Sequence, residues 1–485
     1  MQFSDARLGN AIVTAGFIIA IVFGWLAFEI PKGILSSSGD EMLTAERSRE
    51  MLLLGRGEVH FNFNPSLEKP PLQYWLTSFT LARLQNRALA VRIWPWLYGV
   101  LTAVVVGVLA LVLEPGRPWL IPLGVGVLTS FPLFSTEACR GLLDTGLALF
   151  TTTTILLAQL ARKNPVWWTG AAVACLLGSL QKIPIPFLIW LFILVWRFRS
   201  EAERDQLKSR WLWFSFAGAV VTMAIWPASQ ILTLEVPFRH LFHQEVVGRL
   251  GLEHLGAQPY LEIPYRLTVS SACGCFILAA PFVILFWKNE NFKSTLREIS
   301  IVCLGLIAVE ILFTFRHVRY IEPILPALCL LLAITADRLI RYRGFVRVAA
   351  IAVLAILLLA GFIQTKLQIN FRRQKDFANE KRVAEELGVR QKPGLRTVLI
   401  KAINVGSDLH FASFYLFHGN LRFPVEKYTV DEPRRSPPPP PTIGVCIARD
   451  FPVVQAVYPE VNVQFTRDQF IVWKVAGPKA GGANL

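Results

Sequence analysis

Eleven apolar runs of near-membrane-spanning length restrict what this chain can fold into. They lie near 11–30, 90–113, 118–135, 141–161, 166–181, 183–197, 211–233, 264–287, 299–315, 319–338 and 345–364. A helix needs roughly 20 apolar residues to cross a bilayer core about 30 Å thick. Charged residues make up 17% of the chain, against about 25% in an ordinary soluble domain. The expected fold is therefore a polytopic α-helical membrane protein with about 11–13 transmembrane helices. The runs on either side of Lys182 also suit one broken helix. No small-residue cleavage site follows the first run, so it reads as a span and not as a leader.

The net charge of +15 is a topology signal in such a chain before it is a nucleic-acid signal, so no nucleic-acid partner is expected. Basic residues cluster in alternate loops: Arg117, Arg162 with Lys163, the stretches 197–210 and 288–297, and 338–347. The positive-inside rule makes those loops and the N-terminus cytoplasmic. The loops at 31–89, 136–140, near 182, 234–263 and 316–318, and everything after 364, then face outward. The seven cysteines are scattered with no zinc-site spacing, and Cys273 and Cys275 read as helix packing.

In that topology Arg92, Glu137, Arg140, Asp144, Lys182, Glu262, Glu310, Arg319 and Glu322 all fall in outer halves of spans or in outward loops, while the inner halves carry little charge. An ionisable group in hydrocarbon is costly and tends to face a cavity and a partner. Taken singly, each is also an interfacial cap. As a set they suggest a polar cavity open on one side only, whereas a channel or alternating-access carrier would place charge near mid-membrane.

The first outward loop is long enough to expect a function. Residues 42–54 suit a helix stopped by Gly55, lying in the membrane plane with Glu46, Arg47, Arg49 and Glu50 wet and 51–54 against lipid or protein. Asp40 and Glu41 fall at its start, where carboxylates also act as caps and offset the helix dipole. Further on, Pro70 and Pro71 keep Glu68 and Lys69 out of a helix interior and on a stiff bend. Tyr74 and Trp75 follow, aromatic types that favour the headgroup layer. A lysine at that depth is placed for a lipid phosphate, and a Glu68–Lys69 surface pair is the alternative.

Taken in order, these pieces resemble a known family. They are Asp40-Glu41, the run REM from Arg49, the run EKPPLQYWL from Glu68 and then Arg92. The sequence continues with RGLLD from Arg140 to Asp144 and GSLQK ending at Lys182. Next come EVVGR from Glu245 to Arg249, His254, and Gln258 with Pro259 and Tyr260. Last is Arg319-Tyr320, ahead of Pro323 and Pro326. The set covers about 40–330 and is similar to the bacterial 4-amino-4-deoxy-L-arabinose lipid A transferases and related protein-mannosyltransferase-like enzymes of the glycosyltransferase C superfamily. Two positions depart from that pattern: Ile183 and Pro184 follow Lys182 where the family usually has glycine, and Pro95-Trp96 replaces small residues.

The resemblance implies a glycosyltransferase moving a sugar from a polyprenyl-monophosphate donor to a lipid, glycan or protein acceptor at the outer face of a bacterial inner membrane, with inversion. It implies Asp40 as base or acceptor-orienting carboxylate, Glu41 as its neighbour in the motif, and Asp144 as the second carboxylate. Lys69 is the first choice for the donor phosphate, with Arg140, Lys182, Arg249 and Arg319 behind it. Glu68, Tyr74, Glu245 and Tyr320 are supporting. No cofactor is implied with certainty, and Glu68 is a place where a divalent cation would bind. The alternative function is a transporter or flippase of a lipid-linked sugar, which the one-sided charge and the lack of an obvious internal repeat disfavour.

After Gln364 the character changes, dividing the chain into a transmembrane domain over 1–364 and an extracytoplasmic domain over 365–485. Charged residues at 366–390 read partly as helix, and strand-like runs follow at 397–401, 411–417, 443–447, 461–465 and 470–475. These suggest a small α/β domain. The five prolines of 436–441 read as a stiff extended connector. No catalytic constellation is visible there, and His410 and His418 read as structural.

Overall fold

A computed structural model describes residues 5–33, 35, 40–55, 57–66, 69–182, 184–234, 274–286, 294–312, 318–373, 377–401, 408–429, 433 and 438–476. Its helices, in chain order, are α1 (Asp5–Glu29), α2 (Asp40–Leu54), α3 (Leu72–Leu81), α4 (Arg87–Leu113), α5 (Leu120–Ser130), α6 (Pro132–Glu137), α7 (Asp144–Leu160), α8 (Trp167–Gln181), α9 (Ile185–Arg199) and α10 (Arg210–Leu234). They continue with α11 (Gly274–Phe286), α12 (Ser294–Leu312), α13 (Leu325–Ile340), α14 (Phe345–Arg373), α15 (Ala378–Arg390), α16 (Asp408–His418) and α17 (Phe451–Val457). A hairpin of β1 (His60–Phe61) and β2 (Asn64–Pro65) follows α2. Strands β3 (Arg396–Lys401), β4 (Val425–Thr429), β5 (Thr442–Ile447), β6 (Asn462–Arg467) and β7 (Phe470–Val475) lie near the C-terminus.

The chain forms two compact units. The first comprises Met1–Pro31, Glu68–Gln73 and Arg92–Phe371; the second comprises Lys32–Leu67, Tyr74–Val91 and Arg372–Leu485.

The first unit is the helical bundle of a multi-pass membrane protein. Among the described residues, five helices are long and apolar enough to cross a membrane: Ala6–Glu29, Arg87–Leu113, Arg210–Ser229, Arg319–Ile340 and Phe345–Asn370. The expected span at 118–135 is two pieces, α5 and α6, because Pro132 starts a new helix. The pair flanking Lys182 is two helices. Lys182 is extended, which closes α8, and Pro184 and Pro186 open α9. Buried α13 sits at the centre, packed by α5, α11 and α12, while α7 lies between α8 and the 3-10 turn Val318–Ile324. On α14, Phe345, Val348, Ile356 and Leu359 are each at least 62% exposed, which suits contact with lipid and not water. Gly361 lets α14 approach α5, since a Cβ there would lie 2.2 Å from the Ser130 carbonyl oxygen.

The second unit is α/β. Its sheet has the order β4-β3-β5-β7-β6, parallel from β4 to β5 and antiparallel from β5 to β6. The run at 411–417, expected as a strand, is helix α16. A continuous apolar run has no period to separate the two forms, and α16 is buried because α2, α15 and β4 all pack on it. Strand β4 has weak hydrophobic alternation and was not expected.

Helix α2 ends as the sequence suggests, with Gly55 at φ 63°. Its environment differs from expectation. Glu46, Arg47, Arg49 and Glu50 are buried, not wet. Met42 and Ala45 share an apolar core with Ala412, Tyr415 and Leu416 of α16, so α2 is a central helix of an α/β unit. Both arginines find buried partners. Arg49 donates both Nε and Nη2 to the Glu46 carboxylate at 2.8 and 2.7 Å, and Arg47 Nη1 donates to the Tyr74 hydroxyl at 3.0 Å.

Candidate functional site

In the first unit, ionisable side chains gather where α7 and α9 begin and α12 ends. Asp144 opens α7 and is 4% exposed. Lys182, on the break between α8 and α9, donates from Nζ to Asp144 Oδ1 at 2.7 Å. The same ammonium lies 4.5 Å from the centre of the Tyr320 ring, and the Arg319 guanidinium lies 5.7 Å from that ring. Next to Asp144, the Thr145 hydroxyl donates to Glu322 Oε1 at 2.8 Å. Glu322 is fully buried, and its Oε2 has no hydrogen-bond partner. Glu310 lies within electrostatic reach of Lys182 and Asp144. Arg140 Nη1 lies between both carboxylate oxygens of Glu137, at 3.0 and 3.1 Å.

The break at Lys182 is held from behind. Gln181 Nε2 donates to the Leu143 carbonyl at 3.0 Å and to Gln73 Oε1 at 3.1 Å. Gly146 makes room for that amide, since a Cβ there would lie 2.5 Å from Gln181 Nε2. Gln73 follows the bend that carries Lys69. Pro70 and Pro71 are buried, α3 begins directly after them, and Lys69 is half-buried. Segment 69–73 is thereby tied to the element that supplies Lys182. Arg92 donates to the Ile30 carbonyl at the end of α1, at 3.2 Å.

The other expected site residues are placed as follows. Asp40 and Glu41 form the first turn of α2 in the second unit, with Glu41 buried. Tyr74 is buried beneath the Arg47 guanidinium, whereas Trp75 is exposed. Glu68, Glu245 and Arg249, with His254 and Glu262, lie outside the described residues. So does any cation site at Glu68. Among the described residues, no three His, Cys, Asp or Glu side chains are grouped to hold a metal ion.

The basic residues assigned to alternate loops also meet partners at the span ends. The far ends of α7 and α9 meet the start of α12 in a second ionic cluster. Fully buried Glu298 accepts from Arg197 Nε at 2.9 Å, Arg162 Nη2 at 2.8 Å and Gln159 Nε2 at 2.9 Å. Arg162 also pairs with Glu203. Arg197 lies under Trp168 and is itself fully buried. Arg117 with Asp337, at 2.6 Å, and Arg338 with Glu114, at 3.1 Å, tie further helix ends. The two clusters are separated along α7 by about 18 residues, roughly 27 Å of helix, close to a bilayer core. They differ in chemistry. Both Glu298 oxygens are occupied by cations and an amide, whereas the Asp144 end collects carboxylates with an unsatisfied oxygen among them. Both clusters also hold buried polar atoms without a partner: Glu322 Oε2 at the Asp144 end, and Gln159 Oε1, Arg162 Nε and Arg197 Nη1 at the Glu298 end.

Sequence reasoning named Asp144, Lys182, Arg319 and Tyr320, and the structure brings them together. Glu310 and Glu322 were visible as intramembrane charges without a role. Gln181 and Thr145, beside named residues, carried no signal of their own, and the contact between Gln181 and Gln73 spans 108 residues.

No protein-family model matches the chain. An uncharacterised protein of Aquifex aeolicus is 24% identical over 307 residues, 61% of this chain. The chain spans 58% of the length of that curated relative. Among solved structures, ArnT of Cupriavidus metallidurans bound to undecaprenyl phosphate aligns over 98% of this chain and 100% of its own, at TM-score 0.69 and 14% identity. The archaeal oligosaccharyltransferase of Archaeoglobus fulgidus, in complex with an inhibitory peptide and a dolichol-phosphate, aligns over 87% of this chain and 64% of its own, at TM-score 0.56 and 11% identity. Both are glycosyltransferase C enzymes. This chain has the glycosyltransferase C fold, membrane bundle and C-terminal sheet region together.

Proposed function

We propose that the protein is a membrane glycosyltransferase that takes a sugar from a polyprenyl monophosphate and passes it to a hydroxyl of a lipid, glycan or protein acceptor. The observation that carries this reading is end-to-end fold likeness to an enzyme solved with undecaprenyl phosphate. The paired Asp144 and Lys182 beside Tyr320 and Arg319 support it, because a polar cluster of this kind in a membrane bundle is costly unless it has work to do.

In the proposed reaction the acceptor oxygen attacks the anomeric carbon and its proton passes to Asp40, with Glu41 as neighbour. The bond from that carbon to the phosphate oxygen breaks, and the electron pair leaves with the lipid phosphate. One displacement inverts the anomeric carbon. Lys69 receives the phosphate charge, with Arg140, Arg249 and Arg319 in support. Asp144 orients the acceptor, and Lys182 uses one of its three N–H donors to hold Asp144 in place. The site faces away from the cytoplasm at the inner membrane, with the N-terminus cytoplasmic and the α/β unit extracytoplasmic.

The test is transfer by protein purified in detergent, using a panel of radiolabelled polyprenyl-phosphate sugars and membrane extract as acceptor source. Label appearing in an extract component from one donor is the expected result. Donor binding without transfer from any sugar favours a lipid-linked sugar transporter instead.

A further inference from the structure

Helix α2 is held on two sides by one short stretch of the C-terminal α/β fold, the 420–425 segment between α16 and β4. On one side stands the β1–β2 hairpin. Its two turn residues, Asn62 and Phe63, have φ of 54° and 63°, so two non-glycine residues sit in the left-handed region. Asparagine tolerates that region and phenylalanine does not favour it. What the turn achieves is a staple. The Phe63 N–H donates to Glu50 Oε2 of α2 at 2.8 Å. The adjacent Asn62 amide engages both backbone groups of Val425. Nδ2 donates to the Val425 carbonyl at 2.9 Å, and Oδ1 accepts from the Val425 N–H at 2.8 Å. Val425 begins β4 and pairs with Thr397 of β3, so the staple is anchored in the sheet.

On the other side, Arg49, already clamped on Glu46, reaches Asn420 Oδ1 at 3.4 Å. The chain entering α2 is held as well, since the Leu35 carbonyl contacts His418 Nε2 at 3.2 Å. Four residues of one helix and its lead-in (Leu35, Met42, Arg49, Glu50) thus rest on α16, the following turn, or the hairpin bound to β4.

We infer that the C-terminal α/β fold is the positioning element for α2, that Asn62 is the positioning residue that couples them, and that the acidic first turn Asp40-Glu41 acts from a platform set by the sheet. This rests on the catalytic reading of Asp40. It gives the C-terminal fold a role in the chemical step. A rigid element beneath a reacting carboxylate matters because misplacement of about 1 Å costs up to roughly 100-fold in rate.

The test uses the full chain in nanodiscs. Asn62→Gly keeps the left-handed backbone accessible and removes only the two amide bonds. The expected result is amide hydrogen exchange about 10-fold faster across α2, unchanged exchange in β5 and β7, kcat lowered about 10-fold, and unchanged KM for the donor. Asn62→Asp keeps the acceptor and loses the donor until its carboxyl is protonated. Its kcat, taken relative to wild type at each pH, should recover as pH falls from 8 to 5, whereas the ratio for Asn62→Gly should stay flat. Wild-type exchange in α2 of the glycine variant overturns the inference, as does faster exchange with wild-type kcat. If the wild-type protein transfers no sugar from any donor, the proposed reaction fails, and the exchange result alone decides whether the sheet holds α2.

Discussion

At the residue scale, the chain shows how charge survives where water is scarce. Asp144 and Lys182 form a close pair with little exposure, and truncating one partner strands the other. Lys182→Met should therefore cost activity at least as much as Asp144→Asn, and the double variant should lose less than the sum. A double-mutant cycle on initial transfer rate measures that coupling. Glu50 is a different case. Burial, reinforced by neighbouring Glu46, pushes its carboxyl up to about 8 from 4.5. A carboxyl raised on folding binds its proton in the native state and has lost it in the unfolded one. Its contribution is therefore intact below about pH 4.5 and is lost as pH rises through about 8. Glu50→Gln should flatten the fall in melting temperature over that window; an unaltered slope would mean that another group carries it. Buried His418 is pushed down to about 4, with its ring against the Leu35 carbonyl, which makes it a neutral packing residue at physiological pH.

At the scale of elements, helices α7, α9 and α12 carry a buried ionic cluster at each end, around Asp144 and Lys182 at one and around Glu298 at the other. Removing one side of the Glu298 cluster leaves fully buried charge, so Glu298→Ala should destabilise the protein by about 3–5 kcal/mol, seen as lost thermal stability and lower yield. Glu203→Ala leaves Arg162 paired with Glu298 and should cost less. Gly361→Leu should loosen α14 from α5, because the Ser130 carbonyl occupies the space of its Cβ. Faster exchange in α14 with little change elsewhere checks that. Elements also show where sequence reasoning works. Spans, the Gly55 stop and the break at Lys182 were legible because apolar length, a left-handed glycine and proline each act locally. The strand expected at 411–417 failed because a run buried on all sides has no period. The wet face expected of α2 failed because pairing partners such as Tyr74 and Asn420 are distant in sequence.

At the scale of the whole molecule, the fold was legible because hydrocarbon dictates helix length and because the ordered motif set spans most of the bundle. The site was legible only in part. Asp144, Lys182 and Arg319 stood out as costly residues in apolar runs and Tyr320 through the motif resemblance, while the supporting bonds of Gln181 and Thr145 depend on three-dimensional proximity alone. The central claim is that Asp40, on a helix seated in the α/β unit, activates the acceptor for transfer from a lipid phosphate. The most direct measurement compares wild type with Asp40→Asn, both verified as folded, for transfer of labelled sugar from the polyprenyl-phosphate donor that wild type accepts. The account predicts donor binding within about twofold of wild type and a rate lowered by roughly 10²–10⁴-fold. Equal transfer by the two proteins would contradict it.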